Sequence, residues 1–373
     1  MSITKPVSIS TLGDLVPPVE NHDVDGAIRA LQRSSAAAAT WLSDLVDDFG
    51  VPAHSEQRNS WWRMPWALAL SGHRDVASAL LSWAESNALD DDGDFRPGPF
   101  GADSPTTPVY HLSHLAIAAH LVDRFDLADA LYSRILTYRG AQGGIRLLRD
   151  PAADGEDWLM TSQLGLLAVQ FGDHAVRDET YQWFRQVWDA QPELDDLVLY
   201  TAWSGAGLVT NAEKAGLPGR VDLSKPLQMY FQPGGAAAFI AEFAAQTRSL
   251  DAVRLARDLL MLNVRGTSEQ LTDQRSVHVC KFAWGAAELL SLDTAVDWTP
   301  HLVHLARWFA ERQNADGSWS PSAFTLSAPA TEVDNMWKTA EHLMEVEKMR
   351  VALAGRTRTP QWAASAATLP DAD

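Results

Sequence analysis

Short connections that carry an aspartate alternate with long, glycine- and proline-rich connections along almost the whole chain. The aspartates of the short connections are Asp75, Asp126, Asp173, Asp251 and Asp293, which lie 51, 47, 78 and 42 residues apart. A repeat of about 45 residues made of two helical segments is typical of stacked helix pairs, in which each pair buries its apolar face against the next. The interval of 78 residues leaves room for one irregular pair, between residues 197 and 232.

The alternation also predicts which end of each pair carries the long loops. If every short connection lies at one end of the stack, every long loop lies at the other, and one helix of each pair begins there. These inner helices are predicted at residues 61–71, 108–123, 157–171, 196–210, 234–248, 274–290 and 332–347. The alternating pattern of strands is almost absent. The sequence therefore predicts an all-α fold, an α/α toroid (barrel) of six to seven helical hairpins, with an open solenoid of the same pairs as the alternative.

The chain divides into one large domain and two short ends. Residues 1–22 contain Pro6, Pro17 and Pro18 and are predicted to form an N-terminal arm. Residues 23–354 carry the helical pattern and are predicted to be a single α/α-toroid domain. Residues 355–373, which contain threonine, proline, alanine and serine, are predicted to be a disordered tail.

The charge and cysteine content of the chain narrow its partners and its compartment. The formal net charge is −18 at pH 7, so the protein is not expected to bind nucleic acid or an anionic membrane surface. A single cysteine excludes an intramolecular disulfide and favours a reducing compartment. The sequence has no secretory signal pattern and no apolar run of membrane-spanning length. We expect a cytoplasmic protein without membrane insertion, whose oligomeric state the sequence leaves open.

One segment near the end of the chain resembles a motif of known enzymes. Gln313-Asn314-Ala315-Asp316-Gly317-Ser318-Trp319 is similar to the glutamine–tryptophan repeat of squalene-hopene cyclases, in the terpenoid cyclase and prenyltransferase superfamily. A similar Asn-x-Asp-Gly-x-Trp segment occurs in α/α-toroid polysaccharide lyases. In the cyclases the repeat ties an outer helix to the loop before an inner helix. The resemblance, carried by one copy of seven residues, therefore implies the toroid architecture.

Two further motifs of terpenoid cyclases are missing from this chain. The nearest counterpart of their proton-donating Asp-x-Asp-Asp motif is Glu193-Leu194-Asp195-Asp196, just before a predicted inner helix, where a protonating acid could sit. The Asp-Asp-x-x-Asp metal motif of ionising cyclases is absent. The zinc patterns HExxH and paired cysteines are absent as well. We therefore expect neither a metal nor another cofactor.

The inner helices of a toroid begin around one pit, so the polar and aromatic residues near their starts are the candidate site residues. The predicted catalytic residues are His111, Asp157, Tyr200, His278, Lys281 and Asp334. The predicted substrate-binding residues are Trp62, Arg63, Trp66, Tyr110, His114, Trp158, Trp203, Trp284 and Trp337. Tryptophan suits a pocket wall because it offers a large apolar face and one N–H donor.

The catalytic candidates differ in the chemistry they could supply. Histidines titrate near neutrality, so His111 or His278 would remove or donate a proton. Lys281, Tyr200 and Arg63 would stabilise an enolate or a leaving carboxylate. His278 and Lys281 are three residues apart and so lie on one helical face.

Several of these residues could instead have a purely structural role. Asp157 and Asp334 lie at helix starts, where aspartate is favoured as an N-cap or as a first-turn acid that the helix dipole stabilises. His114 suits a hydrogen-bonded wall position. Lys281 lies between apolar residues, so it points either to solvent or into a polar cavity, and the neighbouring His278 favours the cavity.

These observations favour a cofactor-independent acid/base enzyme, a lyase or a cyclase/isomerase of secondary metabolism. Its substrate is expected to be a small, hydrophobic polyketide or terpenoid intermediate held in the aromatic-lined pit. The second interpretation is a polysaccharide lyase or glycosidase, with Asp157 and Asp334 as a carboxylate pair. The third is a non-catalytic helical-repeat binding module, which needs a concave surface but no convergent polar groups.

Overall fold

Helices make up most of the chain. The computed structural model describes residues 23–57, 60–97, 104–211, 219–272, 279–321 and 329–355, so the predicted arm (1–22) and residues 356–373 of the predicted tail lie outside it. The helices are α1 (Val24–Ser43), α2 (Met64–Leu70), α3 (Arg74–Asn87), α4 (Val109–Leu121), α5 (Phe125–Leu136), α6 (Trp158–Phe171), α7 (His174–Asp189), α8 (Phe231–Thr247), α9 (Leu250–Arg265), α10 (Glu269–Thr272), α11 (Val279–Leu289), α12 (Thr299–Arg312) and α13 (Glu332–Gly355). Within the described residues, none of these helices is long and apolar enough to cross a membrane.

Local signals mark the ends of several helices. The Asp157 and Asp173 carboxylates accept a backbone N–H from the first turn of α6 and α7, as N-caps do. Gly172 ends α6 in the left-handed conformation, with a φ of 70°. Pro65 lies in the first turn of α2, where its missing N–H leaves no helical hydrogen bond unmade.

The helices form a closed double ring. Around the inner ring, α2, α4, α6, α8, α11 and α13 each pack against the next, and α13 packs against α2. The outer helices α3, α5, α7, α9 and α12 pack against the inner helix that precedes them, and α1 packs outside α13. The predicted α/α toroid is therefore confirmed, with six helix pairs in the described chain. The contact between α2 and α13 closes the ring, so the open solenoid is wrong.

The inner helix predicted at residues 196–210 is wrong, because this segment forms β-strands. A short 3₁₀ helix, Leu194–Asp196, is followed by β3 (Val198–Tyr200), β4 (Ala202–Ser204) and β5 (Gly207–Leu208). Aromatic and β-branched residues favour extended backbone here, and two glycines support the tight turn between β4 and β5. The irregular interval in the repeat therefore contains a β insertion instead of a seventh inner helix.

The strands belong to two small antiparallel sheets. β3 pairs with β6 (Arg220–Asp222). The other sheet has the order β1 (Ile145–Arg146), β2 (Glu156–Asp157), β4 and β5. In its register, Asp157 pairs with Ala202. Because β2 leads directly into α6, this pairing holds the β insertion against the start of an inner helix.

Two inner helices approach each other with little space between their backbones. A Cβ on Gly234 of α8 would lie 2.4 Å from the carbonyl oxygen of Lys281 in α11, and a Cβ on Gly285 would lie 3.0 Å from the carbonyl oxygen of Gly234. A side chain at Gly234 would therefore clash with the backbone of α11. This close packing places the turn of α11 that carries Lys281 directly against α8.

The segment that resembles the glutamine–tryptophan repeat ties three helices together. The Gln313 side chain donates to the carbonyl oxygen of Ser34 in α1 (2.8 Å). The Trp319 indole donates to the carbonyl oxygen of Phe309 in α12 (2.9 Å), and its backbone N–H donates to the Thr339 hydroxyl in α13 (2.8 Å). The segment thus joins an outer helix to the inner helix that follows it, as the resemblance implies.

Gly317, in the same segment, provides a test of ring closure. It has a φ of 95°, and a Cβ there would lie 2.6 Å from the carbonyl oxygen of Ala37 in α1; Gly72 has a φ of 92° with nothing within 4 Å of its Cβ position. Gly72→Ala and Gly317→Ala should both lose about 1–2 kcal/mol of unfolding free energy to the left-handed backbone. Gly317→Ala should lose about 1–3 kcal/mol more through overpacking.

Urea denaturation of the two glycine variants measures this difference directly. The matched φ values cancel the backbone contribution and leave the contact with α1. Equal losses in the two variants would show that α1 does not press on this loop.

Candidate active site

A cavity of about 640 Å³ lies at the long-loop end of the ring, beside the starts of α6 and α8. Its walls come from the loops before these helices and from the sheet that contains β2 and β4. The apolar part of the wall includes Leu147, Leu159, Met160, Val209, Met229 and Phe231. The acidic residues Asp154, Glu156 and Asp157 also line it. The volume suits a small organic molecule.

Asp157 is the half-buried carboxyl group at the start of α6. One of its oxygens, Oδ1, accepts the backbone N–H of Met160 at 2.8 Å. Burial raises the pKa of Asp157 to about 6, and the hydrogen bonds from the backbone of Met160 and Leu159 lower it by less. Asp157 is therefore both the predicted N-cap and an acid that titrates near neutrality on a cavity wall.

The two neighbouring carboxylates hold the loops of the cavity. Glu156 accepts the backbone N–H groups of Gln142 (2.8 Å) and Gly144 (2.9 Å) and the indole N–H of Trp183 (2.6 Å). Asp154, which is exposed, accepts the backbone N–H of Gly205 in the β4–β5 turn at 3.0 Å. Because the Glu156 carboxylate is occupied by these hydrogen bonds, Asp157 is the carboxyl group best placed to exchange a proton with a ligand.

A second cluster of polar and aromatic side chains lies where α2, α4 and α13 begin. The Trp62 ring is 4.4 Å from the His111 ring, 4.9 Å from the His114 ring and 5.5 Å from the Tyr110 ring, between centroids. The Arg63 guanidinium lies 3.7 Å from the Trp62 ring centroid. The structure thus brings together five residues that the sequence predicted for the pit.

His114 is fully enclosed in this cluster. Its Nδ1 donates to the carbonyl oxygen of Tyr110 at 2.7 Å. Burial, followed by the charges of Arg63 and Lys281, holds the pKa of His114 well below its usual value. His114 is therefore neutral near pH 7, which agrees with the hydrogen-bonded wall position that the sequence suggested.

Charged side chains fill the interior of the ring below this cluster. The Lys281 Nζ lies 3.4 Å from Glu341 and 3.3 Å from Glu345, and Lys338 lies 2.8 Å from Glu341. Burial raises the pKa of Glu341, but Lys338, Lys281 and Arg63 outweigh it and hold the pKa well below its usual value. Burial raises the pKa of Glu345 to about 7. Lys281 thus faces the interior, as an ion-pair partner.

A second charged set lies further along α13. Lys348 pairs with Glu288 of α11 (2.9 Å) and Glu242 of α8 (3.5 Å), and each of these side chains is about a quarter exposed. Burial raises the pKa of Glu242 to about 7. Lys338, Glu341, Glu345 and Lys348 follow a three-four-three spacing, which puts all four on one face of α13. A helix face with this many charges usually faces solvent, so the spacing alone does not predict that this face of α13 points into the ring.

Several other predicted residues lie away from the cavity wall. Trp158 has no exposed surface, and its indole donates to the carbonyl oxygen of Gln232 (2.9 Å), so it is a core residue. Tyr200 and Trp203 lie on β3 and β4 and not on a helix. The Tyr200 hydroxyl donates to Glu193 (2.9 Å). Ala202 and Ser204 line the cavity, so Trp203 between them points to the opposite side of β4.

The last predicted site residues lie at the starts or interiors of α2, α11 and α13. Asp334 accepts hydrogen bonds from the hydroxyl (2.7 Å) and backbone N–H (2.9 Å) of Thr331, as an N-terminal capping residue. Trp66 and Trp284 are buried with their ring centroids 5.5 Å apart. His278 lies outside the described residues. Among the described residues, no group of three histidine, cysteine or acidic side chains could hold a metal ion.

No protein-family model matches the sequence, and no curated protein matches it. Solved structures do match the fold. A variant of the type II terpene cyclase MstE from Scytonema, in complex with its substrate geranylgeranyl dihydroxybenzoate, is 12% identical to this chain with a TM-score of 0.57. The alignment covers 88% of this chain and 99% of that one.

Glycoside hydrolases also match the fold. An α-1,6-mannanase of Salegentibacter is 12% identical, with a TM-score of 0.60, over 86% of this chain and 99% of that one. A family 76 glycoside hydrolase from a bovine Bacteroides thetaiotaomicron strain is 10% identical, with a TM-score of 0.57, over 86% of this chain and 78% of that one. At these identities the likeness shows the shared α/α-toroid fold, which carries enzymes in both groups.

Glu345 gives the site a measurable pH signature. Because its pKa is raised in the folded protein, Glu345 favours folding below about pH 4.5, and this contribution is lost as the pH rises through about 7. We expect the unfolding free energy to fall by about 2–3 kcal/mol over that range on account of this one group. Glu345→Gln should remove that part of the slope. Exposed Glu56 provides the matched control, and Glu56→Gln should leave the slope unchanged.

Denaturant titrations at half-unit pH steps between pH 4.5 and 7.5 give the three slopes. If the unfolding free energy of Glu345→Gln depends on pH as steeply as that of the wild type, the Glu345 carboxyl group is not buried inside the ring.

Proposed function

We propose that the protein is an acid/base enzyme, a lyase or a cyclase/isomerase, that acts on a small and mostly apolar molecule of the polyketide or terpenoid type. One observation carries this proposal. Asp157, with a pKa of about 6 because of burial, lies on the wall of a cavity of about 640 Å³ whose remaining wall is mainly apolar. Such a cavity combines space for an apolar ligand with a group that can exchange a proton.

The chemistry follows from the two forms of the Asp157 carboxyl group. A pKa of about 6 keeps both the acid and the carboxylate accessible near neutral pH, so the group can give or take a proton at low cost. As an acid it would protonate an alkene or a leaving group, and as a base it would remove a proton from an activated carbon. Leu159, Met160 and Phe231 line the same space and would exclude water from it.

We assign other roles to the remaining predicted catalytic residues. His111 is partly exposed near the start of α4 and remains a second candidate base. We assign Lys281 to holding the interior of the ring, because two carboxylates surround it. Asp334 serves the start of α13 through Thr331. The similar fold of MstE, whose substrate is geranylgeranyl dihydroxybenzoate, supports a mainly apolar substrate.

A glycosidase is the second candidate, favoured by the carboxyl groups of Asp154 and Asp157 on one cavity. A variant of the α-1,6-mannanase with two aspartates replaced is described as inactive. Two carboxyl groups are what glycoside hydrolysis needs. In the described part of the lining, however, Phe231 is the sole aromatic side chain, and no tryptophan or tyrosine offers a platform for a sugar. This composition favours the first candidate.

Asp157→Asn tests the proposed proton transfer. Asparagine keeps the N-cap hydrogen bond to Met160 but cannot exchange a proton, so the fold should persist and turnover should fall by about two to four orders of magnitude. Asp173→Asn is the matched control. Asp173 caps α7 in the same way (Val176 N–H, 3.1 Å) but lies in a short connection, at the other end of the ring.

The assay offers two substrates in parallel, geranylgeranyl dihydroxybenzoate and α-1,6-mannotriose, with products followed by liquid chromatography and mass spectrometry. Cyclisation or isomerisation keeps the mass and changes retention, elimination loses a fragment, and hydrolysis releases mannose. Activity should decline above about pH 6 if Asp157 acts as an acid and below about pH 6 if it acts as a base. Full activity in Asp157→Asn would contradict the proposal, and release of mannose would favour the glycosidase.

A further inference from the structure

Arg63 is held by aromatic faces. Its guanidinium carbon lies 3.7 Å from the centroid of the Trp62 ring, 5.2 Å from that of Trp337 and 5.7 Å from that of Tyr110. Cation–π contacts of this kind stabilise the charge through the face of the guanidinium group. The N–H donors lie in the plane of the group, so these contacts do not use them.

Within the described residues, two of these donor atoms have no acceptor. The Arg63 Nε and Nη1 atoms are buried and make no hydrogen bond, and within the described residues no carboxylate lies within 4 Å of the guanidinium. The indole Nε1 of Trp62, against which Arg63 stacks, is also buried without an acceptor. A buried charged donor without an acceptor destabilises the protein, because it has lost its hydrogen bonds to water. A ligand that places an acceptor in the plane of the guanidinium would supply these missing hydrogen bonds and so stabilise the arrangement.

Further charged side chains lie near Arg63. Arg63 is near enough to lower the pKa of Glu341, and Lys338 and Lys281 already share that carboxylate. Glu345, the other carboxylate of the set, has a raised pKa of about 7 and is therefore partly protonated at neutral pH. Among the described residues, Arg63, Lys281 and Lys338 thus share two carboxyl groups, and the guanidinium has no carboxylate of its own to pair with.

The cluster around Arg63 is partly open to solvent. Arg63, Tyr110, His111 and Trp337 are each partly exposed, whereas the next turns of α2, α4 and α13 are buried. A ligand can therefore contact the cluster from the side of the helix starts, while the buried turns close its inner side. Aromatic rings line this opening, so a ligand with an anionic head and an apolar body fits its chemistry.

We propose that Arg63 binds the carboxylate of a mainly apolar ligand, in the plane of its guanidinium group and beside the rings of Trp62 and Trp337. A carboxylate is planar and accepts two parallel N–H bonds from a guanidinium, so it fits the donor edge that the aromatic contacts leave available. The proposal goes beyond the proposed function, because Arg63 is not part of the described lining of the Asp157 cavity. Aromatic walls would contact the rest of the molecule.

Calorimetry with a soluble probe tests this assignment. The probe is 4-phenylbutanoate, compared with 4-phenylbutan-1-ol and 4-phenylbutyl phosphate. We expect the wild type to bind the carboxylate at least about tenfold more tightly than the alcohol, since charge-assisted hydrogen bonds are lost with the alcohol. Arg63→Met should weaken carboxylate binding by at least about tenfold and leave alcohol binding unchanged. Arg63→Lys, which keeps the charge without the planar fork, should lose part of the affinity.

Arg312→Met is the matched control. Arg312 stacks on Trp308 at 5.0 Å in outer helix α12, and its Nε is also buried without a partner, but it pairs with Glu311. Its replacement should leave carboxylate binding unchanged. Circular dichroism and Tm show whether each variant folds, and Arg63→Met should not lower Tm because it removes an unpaired, partly buried charge. If Arg63→Met fails to fold, Arg63→Lys carries the test.

Three results would overturn the assignment: unchanged carboxylate binding in folded Arg63→Met and Arg63→Lys, equal binding of acid and alcohol to the wild type, or tighter binding of the phosphate than of the carboxylate. Asp157→Asn should bind 4-phenylbutanoate as the wild type does. Since this measurement needs no turnover, failure of the Asp157 proposal and failure of the Arg63 proposal give different results.

Discussion

Closure of the ring depends on how α13 accommodates charge. The inner helices α4, α6 and α8 are mainly apolar, but α13 turns Lys338, Glu341, Glu345 and Lys348 toward the interior. A single buried charge without a partner destabilises a protein by several kcal/mol, so these groups are stable inside only as mutually neutralising sets. Lys281 of α11 and carboxylates of α8 and α11 complete the sets. Electrostatic pairing therefore fixes how the last inner helix sits against its neighbours.

The sequence predicted the ring because its evidence is local. Connection length, N-cap aspartates and the apolar repeat are each properties of a few consecutive residues, and they located most inner helices to within a few positions. The β insertion at residues 196–210 was missed because its strands are stabilised by partners distant in sequence. Asp157 pairs with Ala202, and Tyr200 pairs with Arg220. Strands of two or three residues carry almost no alternation, so pairing, and not pattern, decides them.

The sequence identified polar residues at the starts of the inner helices, but not the energetics of their surroundings. Asp157 was recognisable as a polar residue at an inner-helix start, yet its pKa of about 6 comes from burial by the β insertion and loops of other repeats. The charged face of α13 was visible as a three-four-three spacing. Nothing local distinguishes such a face from a solvated one, since the difference lies in what packs against it. Arg63 was expected in the pit, and its unpaired donors emerge only from the arrangement of three helices.

The position of α1 in the ring has a consequence for how the protein is made. Of the helices described, α1 is synthesised first, but its partners are α12 and α13, and Gln313 reaches Ser34 across 279 residues of sequence. At about 5–20 residues per second, a ribosome needs roughly 15–60 s to produce that stretch. Over this time Leu31, Ala38 and Leu42, which are fully buried in the finished ring, lack their final partners. Ring completion is therefore a late event in biosynthesis, and a chaperone that shields the apolar N-terminal helix should raise the yield of folded protein.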